Sequence, residues 1–401
     1  MLEFYDFVIY GIFSVYFAHQ FFPSDQAIIS VIESYVVFIL GYIARPIGGM
    51  IFSHIGDEHG RKKVLVFTII LMGISSLGIG LLPTYNQIGV IAPILLLIFR
   101  LIQGLALGGE LPSTFVYISE SMHNKRGIGF GLTMSGVNSG LLLGMVINQL
   151  LNLFLTPTEL NNYGWRLPFI LGGVVCIVSY KIRESLHETE LFKKIQHKSR
   201  FPLIDLFKNH LPQLIIGIAY TAILAGSVMV FIIFMPTYFH TILKIDNKSI
   251  SYVLALGMLT NVIVIYVIGR FTDYIKPFII IRNLLIISIV FIPFCYFLIH
   301  NHGWLMMVGV WGLCAIEGVA AMIVPLLVTC LFPTKIRLTG VAMSYNLGFS
   351  LFGGMAPIVI SSLVKIGFGV FITPVCYLFV IIVVCGLGVA YARKYTFESI
   401  S

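Results

Sequence analysis

Several ionisable side chains stand inside long apolar stretches of this sequence, at Asp6, Glu33, Arg45, Arg100, Glu110 and Glu317. A charged group is costly to place in an apolar segment, so we expect each to have a partner and a function. An arginine there can hold a carboxylate of a bound molecule through two parallel hydrogen bonds, or can pair permanently with an acid. An enclosed acid can take up and release a proton.

The depth of these residues follows from helical spacing. Arg45 lies eleven residues before Gly56, which puts it about 16 Å inward along a helix, and Arg100 is similarly deep. Glu110 follows Arg100 by ten residues, about 15 Å along the same helix, so we expect no direct contact. Gly108 lets neighbouring helices approach and enclose Glu110. Proton exchange and a structural hydrogen bond both remain open for this acid.

Three further acids have less defined roles. Asp6 stands near the beginning of the first apolar run, where it can form an ion pair with Arg45 or serve as a proton site. Glu33 and Glu317 interrupt other apolar runs. We expect these two to adjust the affinity of the site for its ligand or for protons.

The composition shows which elements must position these groups. Apolar residues make up 58% of the 401 residues and charged residues 10%, against about 25% charged in soluble domains. A soluble enzyme, a nucleic-acid-binding module and a disordered chain are therefore excluded. A membrane-spanning helix needs about 20 mostly apolar residues. The sequence predicts an all-α integral membrane protein with twelve transmembrane helices in two six-helix halves.

Short polar segments separate the predicted spans. The first half, residues 1–182, has spans at 4–20, 28–55, 64–82, 89–118, 127–155 and 165–182. A polar central loop covers residues 183–210. The second half, residues 211–401, has spans at 211–236, 248–271, 278–299, 303–331, 338–363 and 368–392.

The distribution of lysine and arginine predicts the orientation. Most basic residues outside the spans fall on the side of the central loop, and the opposite side carries only Arg166, Lys244, Lys248 and Lys365. Because basic loops stay in the cytoplasm, we expect both termini and the central loop to be cytoplasmic. The net charge of +8 is then a topology signal and does not indicate a nucleic-acid partner.

A loop motif recurs between the halves. Gly56-Asp57-Glu58-His59-Gly60-Arg61-Lys62-Lys63 follows the second span, and Thr272-Asp273 follows the eighth. Two related six-span halves are the organisation expected of a secondary transporter with its site where the halves meet. Asp57 can accept hydrogen bonds from a helix N-terminus. We expect the gating loop, comprising Gly56, Asp57, Gly60, Arg61, Lys62 and Asp273, to act as a latch for one access state.

Several motifs resemble the metabolite–proton symporter branch of the major facilitator superfamily. They are Glu3-Phe4-Tyr5-Asp6-Phe7, Arg45-Pro46-Ile47-Gly48-Gly49, the gating loop, Arg100-Leu101-Ile102-Gln103-Gly104, Gly108-Gly109-Glu110, Trp165-Arg166-Leu167-Pro168-Phe169, Met235-Pro236-Thr237-Tyr238, and Leu331-Phe332-Pro333-Thr334-Lys335-Ile336-Arg337. The resemblance covers essentially the whole chain. It adds Gln103 to the candidate site and implies the major facilitator fold.

The resemblance also implies an activity. It indicates proton-driven uptake of a small carboxylate-bearing metabolite across a bacterial inner membrane, with the proton gradient as driving force and no cofactor. The substrate is an organic acid such as α-ketoglutarate or a zwitterion such as proline or betaine. The segment Arg100–Gly104 is more similar to organic-acid permeases. We expect a multi-pass monomer whose partners are the metabolite, protons and lipid.

Two alternatives remain open. One is a drug–proton antiporter, an exporter of the same fold, since fold does not set direction. The other is a truncated, non-transporting membrane protein, because the Glu3–Asp6 signature begins almost at Met1. An enzyme is not expected, since the sequence has no nucleophile elbow, metal-spaced cluster or P-loop.

Overall fold

The computed structural model describes residues 2–24, 27–122, 124–193, 202–235, 238–239, 247–301, 303–369 and 372–392. Across these segments the chain forms helices and turns, without a strand. Each of the twelve predicted spans has a helical counterpart, and most boundaries agree within a few residues.

The first six long helices correspond to the predicted spans of the first half. They are α1 (Leu2–Phe21), α2 (Ala27–His59), α3 (Arg61–Leu81), α4 (Ile91–Ser121), α5 (Arg126–Phe154) and α6 (Arg166–Glu184). Short helices at Tyr85–Ile88 and Pro157–Glu159, and a π-helical turn at Leu160–Gly164, lie in the connections.

The remaining long helices follow the central segment, which itself contains the short helices Glu190–Lys193 and Pro202–Asn209. They are α7 (Leu211–Val228), α8 (Asn247–Thr272), α9 (Pro277–His300), α10 (Trp304–Cys330), α11 (Arg337–Gly348) and α12 (Ile372–Ala392). A π-helical turn, Met229–Ile233, extends α7. A second one, Phe349–Gly354, joins α11 to the helix Ala356–Lys365, so the predicted eleventh span is broken.

Nine helices within the described residues are individually long and apolar enough to cross a membrane. A tenth results if the bent pair Pro157–Gly164 and Arg166–Glu184, which meet at 43°, forms one span. The two remaining predicted spans correspond to α1 and to the broken α11. The apolar segment found in α1 is Phe4–Ser14, and α11 ends after twelve residues at Gly348.

The chain folds into two compact units. The first contains Met1–Thr114 and Val137–Thr189, and the second contains Phe115–Gly136 and Glu190–Ser401. The segment Phe115–Gly136, which joins α4 to α5, packs within the second unit, where Phe115 contacts Tyr345 edge-on. The boundaries of the two sequence halves stay a prediction.

Glycines bring pairs of helices into backbone contact within each unit. A Cβ added to Gly104 or Gly108 of α4 would stand 1.8 or 1.9 Å from the carbonyl oxygen of Gly41 or Arg45 on α2. Small residues at such crossings allow close approach. In the second unit Gly318 of α10 faces the carbonyl oxygen of Asn261 on α8, at 3.0 Å from its added Cβ.

The short helix Pro202–Asn209 is fixed by polar contacts in the second unit. Asp205 forms an ion pair with Lys335 at 3.0 Å and accepts a hydrogen bond from Asn209 at 2.7 Å. Burial alone would raise the pKa of Asp205, but its hydrogen bonds with Asn209 and Lys335 outweigh burial and hold the pKa below its ordinary value.

Candidate functional site

A chain of hydrogen bonds crosses the interior of the first unit and joins an acid to a cation. The Ser76 hydroxyl donates to Asp6 Oδ2 at 2.5 Å. Gln103 Nε2 donates to that hydroxyl at 3.0 Å, and Arg100 Nη1 donates to Gln103 Oε1 at 2.8 Å. All four side chains are buried. We call Asp6, Ser76, Gln103 and Arg100 the polar relay.

Three helices supply the relay. Asp6 comes from α1, Ser76 from α3, and Arg100 with Gln103 from α4. Arg100 and Gln103 are three residues apart, so they share one face of α4 and can contact each other directly. The charges at its two ends do not touch, since two neutral side chains separate them. The two buried charges are therefore connected through the polarised hydrogen bonds of Ser76 and Gln103.

Arg100 also packs on aromatic rings. Its guanidinium carbon lies 4.1 Å from the ring centre of Tyr10 and 5.2 Å from that of Phe38. Tyr10 is held in place by a hydrogen bond from its hydroxyl to the backbone oxygen of Ser34, at 3.3 Å. Cation–π contacts of this kind stabilise a guanidinium away from water. Arg100 Nε has no hydrogen-bond partner among the described residues.

The second carboxylate oxygen of Asp6 is also unoccupied. Asp6 Oδ1 is buried and has no hydrogen-bond partner in the described part of the chain. It lies beside Gly172 of α6, where an added Cβ would be 2.7 Å away. A buried carboxylate with a single neutral donor is poorly stabilised in its charged form. Of the two roles that the sequence leaves open for Asp6, the ion pair with Arg45 is not found among the described residues, where Ser76 contacts the carboxylate.

Glu110 lies outside the relay. Its carboxylate forms a short ion pair with Arg183 of α6, whose guanidinium also donates to the backbone oxygen of Leu65 at 2.9 Å. Glu110 and Arg100 make no direct hydrogen bond or ion pair, as expected from their spacing. This ion pair joins α4 to α6. A structural role therefore fits the contacts of this acid better than proton exchange.

Two other predicted residues of α2 occupy different surroundings. Arg45 is buried, and its backbone oxygen is the atom that Gly108 approaches. Glu33 is exposed on the surface of the first unit. The structure therefore does not bring Glu33 into the polar relay.

Glu317 is fully buried in the second unit. Its Oε2 accepts a short hydrogen bond from Asn261 of α8, which also donates to the backbone oxygen of Cys314 at 2.9 Å. Glu317 Oε1 has no hydrogen-bond partner among the described residues.

In the first-unit part of the gating loop, Arg61 contacts the two residues that begin the motif. Its guanidinium pairs with Asp57 at 3.3 Å and donates to the backbone oxygen of Gly56 at 3.0 Å, and both charged side chains are buried. Gly60 has φ of 114°, a conformation that side-chain-bearing residues rarely adopt. The backbone N–H of Lys62 donates to Glu188 at 3.1 Å. The motif therefore makes a rigid turn between α2 and α3.

Asp273, the counterpart of Asp57, caps a helix. Its two carboxylate oxygens accept hydrogen bonds from the backbone N–H groups of Gly127 at 2.7 Å and Ile128 at 3.1 Å, in the first turn of α5. An acid at a helix N-terminus satisfies free N–H groups and favours the helix dipole. Asp273 thus makes the kind of helix-capping contact that the sequence predicts for its counterpart Asp57.

Several polar contacts were not anticipated from the sequence. Ser76 and Asn261 are neutral residues within apolar runs, and nothing in their spacing marks them. Arg337 lies just outside the predicted span 338–363, yet it is buried, pairs with Glu120 at 3.6 Å and donates to the Phe332 backbone oxygen at 3.1 Å. The motif Pro333–Arg337 is the sequence feature that could have marked Arg337 as a residue with a specific role.

The sequence profile of the Major Facilitator Superfamily matches residues 1–357. The chain belongs to the Major Facilitator Superfamily. The predicted family and the predicted fold class, an all-α membrane protein with the twelve-helix major facilitator fold, are confirmed. This major facilitator is therefore a multi-pass membrane transporter.

Two relatives show the range of substrates associated with similar chains. A Staphylococcus aureus (strain MSSA476) protein named as a proline/betaine transporter is 31% identical over 385 residues, which cover 90% of this chain and 79% of the relative. The alpha-ketoglutarate permease of Escherichia coli (strain K12) is 31% identical over 377 residues, 92% of this chain and 85% of the permease. Both names describe transport of small metabolites.

Solved structures support the fold. The proton:xylose symporter XylE bound to 6-bromo-6-deoxy-D-glucose superposes with a TM-score of 0.76 at 15% identity, covering 98% of this chain and 93% of that one. The transporter FucP in its outward conformation gives a TM-score of 0.73 at 11% identity, with 99% and 98% covered. At these identities the comparison establishes the shared fold alone.

Proposed function

We propose that this major facilitator imports a small carboxylate-bearing metabolite together with protons by alternating access, with the proton gradient as its only driving force. The polar relay is the observation that carries this proposal. It buries Arg100 and Asp6 in one hydrogen-bonded network without direct contact between them. Arg100 can therefore bind a substrate and Asp6 a proton, and each binding event changes the affinity of the other residue for its ligand.

Arg100 is proposed as the group that binds the substrate carboxylate. Its Nε is a buried donor without a partner in the described residues, and its fork of donors suits bidentate recognition of a carboxylate. Gln103 and Tyr10 fix the orientation of the guanidinium. Positioning of this kind lowers the entropy lost on binding.

The aromatic rings favour an organic acid over a quaternary amine at this site. A cage for a quaternary ammonium requires open aromatic faces. The faces of Tyr10 and Phe38 are already covered by the Arg100 guanidinium, which would also repel a second cation. We therefore propose a substrate like that named for the alpha-ketoglutarate permease.

Asp6 is proposed as the proton carrier. Its ionised form gains stability from Arg100 through Gln103 and Ser76. When a substrate carboxylate neutralises Arg100, this support is lost and Asp6 takes up a proton. Substrate and proton then bind cooperatively, which is the requirement for symport.

The other predicted residues take supporting roles in this proposal. Glu317 is a second protonatable group in the second unit, while Glu110 secures α4 to α6 through Arg183. The gating loop, which includes Asp273, is proposed to stabilise one access state through the Asp57–Arg61 pair and the α5 cap. We further propose a monomer in a bacterial inner membrane with both termini cytoplasmic.

Uptake by reconstituted vesicles tests the proposal. Purified protein in proteoliposomes should accumulate labelled α-ketoglutarate under an inward proton gradient, and a protonophore should abolish accumulation. Arg100→Ala should lose uptake with normal membrane insertion, and Arg100→Lys should retain little because a lysine cannot replace the fork. The exposed Lys181→Ala is the control.

Two outcomes would contradict this assignment. Gradient-driven uptake by Arg100→Ala at the wild-type rate would remove Arg100 from the site. Substrate expulsion under the same gradient, with no exchange of external substrate in a counterflow assay, would indicate an exporter.

A further inference from the structure

An apolar groove lies between α8, α9 and α10 of the second unit. It has a volume of about 360 Å³ and is bordered by thirteen residues. Asn283 is the single polar side chain among them. Representative residues of its apolar wall are Val264, Ile268, Ile279, Ile287, Ala315 and Val319.

The groove runs along the helices toward one end. It reaches from Phe291 in the middle of α9 to Ile275, which immediately precedes that helix. Within α9 the lining residues run from Ile279 to Phe291, twelve positions, which span about 18 Å of helix. The groove therefore has the elongated form that suits a hydrocarbon chain.

Two basic side chains lie beside the half of the groove that is nearer to Ile275. Arg282 is exposed and its Nη2 donates to Asn283 Oδ1 at 3.4 Å, which places the guanidinium at the groove's polar residue. Lys276, also exposed, stands at the beginning of α9 beside Ile275. No acidic side chain borders the groove.

We propose that this groove binds an anionic phospholipid, with an acyl chain along α9 and the phosphate on Arg282. Arg282 is five residues into α9, about 7.5 Å from its beginning, so its long side chain can reach the headgroup level while its stem remains against apolar surface. Basic pockets between transmembrane helices bind acidic headgroups in this way.

The basic residues and the apolar wall make separable contributions to the affinity of this groove for a phospholipid. The apolar wall accepts the acyl chain of any phospholipid, because the hydrocarbon is the same. Arg282 and Lys276 discriminate among headgroups, since a net negative headgroup gains about 1 kcal/mol from each nearby basic residue. Dioleoyl phosphatidylglycerol and dioleoyl phosphatidylcholine share their acyl chains and differ in net charge, so they are the matched probes.

The experiment measures lipid binding to the purified full-length transporter by native mass spectrometry. Wild-type protein should retain phosphatidylglycerol in preference to phosphatidylcholine. Arg282→Gln should weaken phosphatidylglycerol binding about fivefold, the factor that corresponds to about 1 kcal/mol, and leave phosphatidylcholine unchanged. Lys181→Gln removes an equivalent exposed charge from the first unit and should change neither affinity.

A second pair of variants tests the acyl-chain groove. Ala315→Phe adds a ring inside the groove and should weaken both lipids at least fivefold. Val290→Phe places the same ring on an exposed position of α9 outside the groove and should have no effect. Thermal unfolding in detergent without added lipid confirms that each variant is folded.

The proposal is overturned if folded Arg282→Gln binds phosphatidylglycerol as tightly as wild type. It is equally overturned if wild-type protein binds both lipids with the same affinity, or if Ala315→Phe and Val290→Phe behave alike. Because lipid binding is measured without transport, these outcomes are independent of the proton-coupling assays.

Discussion

Neutralising Arg100 should increase the proton affinity of Asp6. The size of the increase depends on the distance between the two charges across the polar relay. Hydrogen bonds of 2.5, 3.0 and 2.8 Å connect the four side chains in series. The nitrogen and oxygen of the Gln103 amide are roughly 2.2 Å apart from standard bond lengths. The path from the carboxylate to the guanidinium is therefore no longer than about 11 Å.

This maximum separation gives a lower limit for the interaction energy between the charges of Asp6 and Arg100. Two unit charges about 11 Å apart interact by roughly 1.5 kcal/mol at an effective dielectric constant of about 20. The direct separation cannot exceed the path, so the attraction between Asp6 and Arg100 is at least this large. A substrate carboxylate on Arg100 cancels it. Since about 1.4 kcal/mol corresponds to a factor of ten, substrate should bind about tenfold more tightly when Asp6 is protonated.

Isothermal titration calorimetry in lipid nanodiscs can measure this coupling. The dissociation constant of α-ketoglutarate is determined between pH 5.5 and 9, a range in which ordinary carboxylic acids stay ionised. Wild-type protein should show two plateaus of affinity that differ at least about tenfold, with the tighter plateau at low pH. Asp6→Asn resembles the protonated acid and should bind at the tighter value throughout.

A matched control separates the relay from other acids. Glu184→Gln neutralises an exposed acid at the end of α6 and should keep both plateaus. If Asp6→Asn retained the wild-type pH dependence, the proton would be carried elsewhere, with Glu317 as the next group to test. Wild-type binding that is independent of pH across this range would refute the coupling itself.

Three further predictions concern the scaffold. Arg183→Leu should destabilise the folded protein by about 3 kcal/mol because it strands the buried Glu110 carboxylate, whereas the double variant with Glu110→Leu should lose less in thermal unfolding; equal losses would contradict this. Gly108→Ala should prevent recovery of folded protein on size-exclusion chromatography, while Gly136→Ala, with open space around its Cβ, should behave normally. The depressed pKa of Asp205 stabilises its helix above about pH 4, and this stabilisation is lost as pH falls through the lower folded-state value. Amide hydrogen exchange of residues 202–209, corrected for the intrinsic pH dependence of exchange, should therefore lose protection only in acid. Protection that is the same on both sides of this range would contradict the assignment.

The positions of the helices could be predicted because membrane burial acts on each span separately. A helix satisfies its own backbone hydrogen bonds, so an apolar run of sufficient length determines a span almost without reference to its neighbours. Glycine spacing likewise predicted the close approach at Gly108. The exception is the eleventh span, where a wide helical turn at Phe349–Gly354 interrupts an otherwise apolar run.

The partners of the charged residues could not be predicted in the same way. Arg45 and Arg100 look equivalent in the sequence, since both are deep in apolar runs. Only the packing of α1, α3 and α4 places Arg100 in the relay with Asp6. Ser76, a neutral residue without any distinguishing pattern, completes that connection because of where α3 lies.

The sequence by itself determined the membrane class, the spans, the family and the list of buried charges, because these depend on composition and on distance along the chain. The tertiary structure decided which charges belong together. It assigned Glu110 to Arg183, Glu317 to Asn261, and Asp273 to the first turn of α5. These pairings depend on contacts between helices far apart in sequence, and hydrogen bonds require positions accurate to a few tenths of an ångström. Periodicity along one helix carries no such information.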